Sequence, residues 1–182
     1  MKFDAIIMGG GLSGLTAGVS LLKGGLKVAI ISGGLSIHKT SRSEFIKGGG
    51  TFLLGDSVTD GVFDGDTLSL VHTQNFGTTP LVARHFILAT GKFASGGLAS
   101  TDREIYEPIF GCDVQYDPDR SHWCDPDFFA PQPFERFGVI TDTDGRVKIG
   151  GRTISNLFAV GEVLCGTPDI IQSALDVCKQ IL

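Results

Sequence analysis

The run Gly9-Gly10-Gly11-Leu12-Ser13-Gly14 constrains this chain more than any other feature of it. It follows a short apolar stretch, Phe3 to Met8, and precedes Leu12 to Leu22, whose pattern is helical until Gly24-Gly25 stops it. Lys27 to Ile31 is then a second strand-like stretch. The order predicts strand, tight turn, helix and return strand within about thirty residues, the context in which a G-x-G-x-x-G spacing acquires meaning. Here that spacing is Gly9, Gly11 and Gly14. The first glycine makes the turn, the second lets backbone approach a pyrophosphate, and the third lets the helix pack on the strand. The helix N-terminus adds unpaired N–H groups and a partial positive charge. Any glycine-rich strand-to-helix turn shares part of this pattern. The coincidence of strand, helix and return strand favours a nucleotide-binding unit.

The rest of the composition narrows the classes. A length of 182 residues suits one domain, and 42% hydrophobic against 19% charged residues is enough to build a sizeable core. The net charge of −5, with no Lys/Arg run, argues against a nucleic-acid partner. Cys112, Cys124, Cys165 and Cys178 show neither C-x-x-C nor finger-like spacing, so no metal site is expected and the thiols read as buried or idle in a reducing compartment. Ala5 to Leu22 carries no charge and so raises a signal peptide or membrane span. Its five glycines and interleaved hydroxyl residues argue against both. The expectation is a cytoplasmic chain with no direct membrane span.

Further along, the second strand ends at Ser32, where a dinucleotide site usually carries an acid for the adenosine ribose. A serine bonds hydroxyls more weakly than a carboxylate, so FMN stands beside FAD as a ligand. Residues 39–57 read as a polar loop, Thr40-Ser41-Arg42-Ser43, followed by a linker at Gly48-Gly49-Gly50. Arg42 with Ser41 and Ser43 is either a phosphate or flavin contact or a solvated loop. Val58 to Phe63, Thr67 to Thr73 and Leu81 to Leu88 read as strands of a small β-meander. The last of them runs into Thr90-Gly91, where a ligand across the strand ends would touch backbone. Residues 95–137, rich in proline and aromatics, read as an irregular lobe. Within it His122 beside Trp123 is a possible acid or base, although packing is the commoner role of such a pair.

Val139 to Ile149 looks like a hairpin turning at Asp144-Gly145, and Asn156 to Val160 like a strand ending at Gly161-Glu162. Thr167 is the expected N-cap of a final helix, with Pro168 in its first turn. Ile170, Ile171, Ala174, Leu175, Cys178, Ile181 and Leu182 are its expected core face.

Three segments in order resemble FAD-type Rossmann flavoproteins: Asp4 to Leu15, Ile87-Leu88-Ala89-Thr90-Gly91, and Asn156 to Glu162. A sharper resemblance, to the B-subunit family of anaerobic glycerol-3-phosphate dehydrogenase, rests on Ser95-Gly96-Gly97-Leu98, on Glu107 to Gly111, and on Asp127 to Pro133 with Phe137-Gly138-Val139. The resemblance implies an α/β, Rossmann-like FAD/NAD(P)-binding fold with a small β-meander and an irregular Pro/aromatic-rich lobe. The expected division is one flavin- or dinucleotide-binding domain over 1–182, with the core at 1–47, 81–94 and 138–182, the meander at 52–88 and the lobe at 95–137. It further implies a flavin-dependent oxidoreductase using FMN or FAD. Its implied partners are the catalytic (A) and the iron–sulfur, membrane-anchoring (C) components of the same dehydrogenase. That assembly oxidises sn-glycerol 3-phosphate to dihydroxyacetone phosphate and passes electrons to quinone, which places the chain at the inner face of the cytoplasmic membrane through its partners. By the same resemblance Gly9, Gly11, Ser13 and Gly14 hold phosphate, Ser32 stands at the usual acid position, Thr90 and Gly91 approach the middle of the flavin, and Gly161 with Glu162 meets the ribityl chain. Glu162 replaces a commoner aspartate. Family chains are longer, with the extra part between Ile46 and Phe52, and they carry a glycine run before the last helix. Segments near 46–52 and 166–170 are therefore expected to be omitted from this sequence. A non-catalytic nucleotide-binding or interaction subunit that has lost flavin is the alternative, and a nicotinamide-dependent reductase is disfavoured by the later motifs.

Overall fold

In the computed structural model, residues 1–34 and 38–182 are described. Chain order begins β1 (Ala5–Met8), α1 (Leu12–Lys23), β2 (Val28–Ser32), α2 (Lys39–Lys47) and β3 (Thr51–Leu54). The meander follows as β4 (Val58–Asp64), β5 (Thr67–Thr73) and β6 (Gly77–Leu81), and β7 (His85–Leu88) returns to the main sheet. Four two-residue strands, β8 (Ala99–Ser100), β9 (Ile105–Tyr106), β10 (Val114–Gln115) and β11 (Gly138–Val139), lie in or beside the lobe. β12 (Arg146–Ile149), β13 (Arg152–Ala159) and α3 (Ile170–Ile181) complete the chain.

The central sheet has the order β12-β13-β7-β1-β2-β3, parallel throughout except for β12 at one edge. β1 and β2 are buried at every position, as strands covered on both faces must be. Alternation divides their side chains between two cores. Ala5, Ile7, Val28 and Ile30 pack with Leu15, Leu21, Phe45, Ala174 and Val177 on the helical face. Ile6, Met8, Ala29 and Ile31 pack with Leu68, Val71, Leu81 and Val139 on the other face.

Residues 39–57 are not a loop and linker. Lys39–Lys47 is a helix and Thr51–Leu54 a parallel strand paired with β2. The helix is polar almost all round and has one buried residue, Phe45, whose ring meets Phe52 edge-on at 6.3 Å. A single anchor leaves no apolar period to read, and the crossover between two parallel strands decides the conformation. Gly48-Gly49-Gly50 is the turn joining them. Gly49 has φ +90°, and a Cβ on Gly50 would lie 2.4 Å from the Phe45 ring. The chain therefore passes directly from α2 to β3 at the place where the extra part of longer family chains is expected.

The third meander strand is Gly77–Leu81, paired antiparallel with β5, rather than Leu81 to Leu88. β7 instead pairs with β1 and β13. The hairpin at Asp144-Gly145 is present, with Asp142 N donating to the Arg146 carbonyl. A second reversal at Gly150-Gly151 extends β13 back to Arg152, and the Asp113 carboxylate accepts from both glycine N–H groups at 2.7 Å. In α3, Asp169 rather than Thr167 is the N-cap, accepting from Ile171 N at 3.0 Å and Gln172 N at 2.9 Å. Of the expected apolar face, Ala174 and Cys178 are buried, joined by Val177, while Ile171 and Leu182 are exposed. Replacing Asp169→Ala should cost about 1 kcal/mol, read as a lower urea midpoint at unchanged slope. An unchanged midpoint would show that the cap does not hold the helix.

In the lobe, Trp123 is buried, with its ring edge-on to Tyr116 and Phe137 at 6.2 Å. Its Nε1 donates to the Asp117 carbonyl at 2.6 Å. The buried Glu107 carboxylate accepts from Ile109 N and Phe110 N and so fixes the turn beside the sheet. Burial, reinforced by Glu107, pushes the Cys112 thiol far up from its usual pKa, and burial pushes that of Cys178 up to about 11.

Candidate functional site

A cleft of about 1080 Å³ opens at the carboxyl ends of β1, β2, β3 and β7, where open α/β sheets bind ligands. Of the nine residues singled out in the sequence, Gly9, Gly11, Ser13, Ser32, Thr90, Gly91 and Glu162 line it. Gly14 and Gly161 do not. They stand behind the wall, where a Cβ on Gly14 would lie 2.0 Å from the Gly9 carbonyl oxygen and one on Gly161 2.3 Å from Ser13 Oγ. Their part is close packing that seats the N-terminus of α1.

The three glycines of the first turn thus differ in kind. Gly9 has φ +119°, and its Cβ would lie 2.1 Å from the Ala89 carbonyl oxygen, so the β1 turn and the end of β7 are in backbone contact. Gly11 is the N-cap of α1 with an ordinary φ of −75° and no side-chain cap. Nothing lies within 4 Å of its would-be Cβ. The first-turn N–H groups of α1 are therefore presented to the cleft with empty space in front of them, the arrangement an anion needs.

At the β7 end, Thr90 Oγ1 is buried and has no hydrogen-bond partner, an arrangement that disfavours the site until a ligand supplies one. Gly91 has φ +72°, and Gly97 packs so closely that its Cβ would lie 1.9 Å from the Gly91 carbonyl oxygen. Beside this turn, burial holds the half-buried Lys92 amine below its ordinary pKa, with the nearby Glu162 carboxylate acting against that shift. Lys92 also donates to the Glu135 carbonyl. Gly161 N donates to Ser173 Oγ at 3.0 Å, which ties the Gly161-Glu162 turn to α3.

Other expectations fall elsewhere. Ser41, Arg42 and Ser43 lie on α2 and are not part of the cleft wall. His122 is exposed and held by Asp117 Oδ2 at 3.0 Å, outside the cleft, so the acid–base reading has no support in the geometry. Conversely, the cleft wall includes Asp56, Ser57, Val58 and Thr59, none of which was expected as a site residue, together with Pro108 and Ile109, which entered only as part of the family-like segment Glu107 to Gly111. For residues 56–59 the signal was Gly55-Asp56-Ser57, which means little until β3 is recognised as a strand. Among the described residues no group of His, Cys, Asp or Glu side chains is placed to hold a metal ion. Nor is any helix among them long and apolar enough to cross a membrane.

An open phosphate approach at Gly11 and an unpartnered hydroxyl at Thr90 fit a flavin nucleotide lying across the strand ends. Residues 36–173 match the FAD binding domain family. The chain belongs to that family. Among curated proteins it is similar to the B subunit of anaerobic glycerol-3-phosphate dehydrogenase from Vibrio cholerae serotype O1 (strain M66-2), 41% identical over 141 residues that cover 76% of this chain and 32% of the relative. The B subunit of the Pectobacterium atrosepticum enzyme is 37% identical over 158 residues, covering 82% of this chain and 37% of the relative. The chain spans about a third of the length of these relatives. Among solved structures, a thioredoxin reductase from Gloeobacter violaceus gives a TM-score of 0.59 at 12% identity, covering 99% of this chain and 93% of that one. Thermovibrio ammonificans THI4 gives 0.57 at 17% identity, covering 99% and 88%. At those identities the likeness concerns the fold, which is the α/β, Rossmann-like architecture of FAD-binding proteins.

Proposed function

We propose that the chain is the flavin-binding part of a dehydrogenase of the glycerol-3-phosphate type, a single flavin-binding unit over 1–182. In this reading Gly9, Gly11 and Ser13 form the phosphate cradle with Gly14 packed behind it, Thr90 and Gly91 meet the middle of the ligand, and Glu162 borders the ribityl chain with Gly161 packed behind it against Ser13. The observation that carries it is the empty approach in front of Gly11 at the start of α1, in a cleft that also holds the unpartnered Thr90 hydroxyl. When bound, flavin supplies the redox chemistry, accepting and passing on electrons, while the protein supplies position and electrostatics. The chain's own residues bind and orient. The α1 N-terminus takes the phosphate, Thr90 Oγ1 offers a directional hydrogen bond, and Lys92 with Glu162 sets the local charge beside the Thr90-Gly91 turn. The substrate, sn-glycerol 3-phosphate, the acceptor, quinone, and the catalytic and iron–sulfur partners follow from the similarity to the B subunits of that enzyme. Any membrane contact of this chain is made through such partners.

The test is a visible absorption spectrum of the purified chain, followed by heat release of the ligand and its identification by mass. Near one-to-one FAD or FMN is the expected result. A colourless chain that takes up neither flavin would establish the alternative, a non-catalytic subunit that retains the fold. One observation leans that way: the Ser32 hydroxyl already donates to the Gly34 carbonyl at 2.9 Å and is no substitute for an ionised acid.

A further inference from the structure

The segment Asp127 to Pro133, which carried part of the family resemblance, has no place in the cleft wall and no role in the flavin reading. At its tip Phe128 and Phe129 are 85% and 93% exposed, whereas no other large apolar side chain among the described residues exceeds 63%. Their rings meet edge-on at 5.5 Å. The same lobe buries Trp123 and Phe137 a few residues away, so the two rings are not exposed for want of a core. Paired apolar side chains left in water beside an available core mark a contact surface.

Hydrogen bonds fix the loop that carries them. Asp125 Oδ1 accepts from Asp127 N at 2.8 Å and Asp127 Oδ1 from Phe129 N at 3.0 Å, two successive turns of the Asx kind. Gln132 closes the loop from its far side. Its Oε1 accepts from Asp125 N at 2.9 Å, and its Nε2 donates to the carbonyls of Asp127 and Ala130, both at 3.0 Å. Pro126 and Pro131 restrict φ on either flank. Phe134 N donates to the Trp123 carbonyl at 3.0 Å, which ties the neck of the loop to the residue whose indole is buried. Rings presented on so constrained a backbone lose little freedom on binding, and pre-organisation of that kind is what makes aromatic anchors effective.

The surrounding charge decides what such anchors fit. Residues 117–135 include five acidic side chains, Asp117, Asp119, Asp125, Asp127 and Glu135, and besides His122 one basic side chain, Arg120, which lies over the Trp123 ring at 5.7 Å. Asp125 and Asp127 are exposed on either side of the tip. An acidic rim is repelled by the anionic face of a bilayer, where inserted aromatic residues are accompanied by Lys and Arg. The net charge of −5 likewise disfavours a second copy of the chain. We propose that residues 125–131 are a docking loop, which seats Phe128 and Phe129 in an apolar pocket rimmed by Lys or Arg on a different polypeptide. The rings supply affinity, and the acidic rim supplies orientation and speed of association. The loop stands outside the cleft wall, so the inference is independent of the nucleotide bound there.

The experiment places photoreactive benzoylphenylalanine at position 128 or 129 of the full chain, in cells of its own source, and identifies the cross-linked product and its attachment site by mass spectrometry. The expected product is one other polypeptide, joined at an apolar site flanked by Lys or Arg. That polypeptide, purified, is then titrated against the unmodified chain and its variants. Phe129→Ala should weaken binding by about 30-fold or more. The ring is exposed, so the variant loses no packing and should melt like the original. Asp125→Asn combined with Asp127→Asn keeps both Oδ1 acceptors, and hence the turns, while removing the charge. It should weaken binding by about fivefold at low salt, with the difference lost at high salt. Cross-linking to lipid, to a second copy of the chain, to many unrelated proteins or to nothing overturns the proposal. So does an attachment site without basic residues, a Phe129→Ala chain that binds as tightly as the original, or a double Asn variant that binds unaltered at low salt.

Discussion

Gly11→Val should abolish flavin binding and leave the domain folded. The backbone at Gly11 has φ −75° and ψ −170°, a region valine adopts readily, and no atom lies within 4 Å of the added Cβ. The cost to the fold is that of a poor N-cap, about 1 kcal/mol, or a few degrees in the melting temperature for a chain of this size. The cost to binding is far greater. The isopropyl group would stand in front of the first N–H groups of α1, where a phosphate must come, and losing two charge-assisted bonds alone weakens binding by about 100-fold or more. Fluorescence titration with FAD measures the loss, and circular dichroism melting checks the fold. Unchanged flavin affinity in a folded variant would remove the phosphate from this place.

Gly9→Ala, only two residues away, should instead destabilise the fold itself. Its φ of +119° is left almost entirely to glycine, and an added Cβ would lie 2.1 Å from the Ala89 carbonyl oxygen and 2.6 Å from its carbon. Neither neighbour is the tip of a flexible side chain. Ala89 continues β7, which is paired residue by residue with β1, so relief requires the two strands to part. Strain and overpacking together cost about 3 kcal/mol or more, which lowers the melting temperature by about 10 °C and is a large share of ordinary stability. Flavin binding would go too, but with the fold rather than ahead of it. A Gly9→Ala chain that melts like the original would mean that this backbone contact is absent in solution. The contrast between the two variants separates a glycine needed by the ligand from one needed by the chain, two positions of one motif.

The local code determined a good deal. Burial of every residue of β1 and β2 is legible from their continuous apolar runs, and the glycine spacing between them forecast a tight turn followed by a helix. Two later turns at strand ends, Thr90-Gly91 and Gly161-Glu162, were also legible, because an apolar run that stops at glycine marks where a strand leaves the sheet. In each case neighbours within a few residues decide the conformation. Tertiary structure decided the rest. α2 has a single buried side chain, Phe45, and exists as a helix because two parallel strands must be bridged over one face of the sheet. Gly161 stands against Ser13 at the start of α1, a packing role that its place at a strand end does not announce, since what a missing Cβ makes room for depends on the element that comes to lie against it. Asp56 was invisible because it is remote in sequence from Ser32, and only the parallel pairing of β2 with β3 brings its carboxylate to the same edge. Strand and turn propensities are local in origin, whereas the composition of a cleft at the end of a parallel sheet depends on strand order, which no stretch of sequence contains by itself.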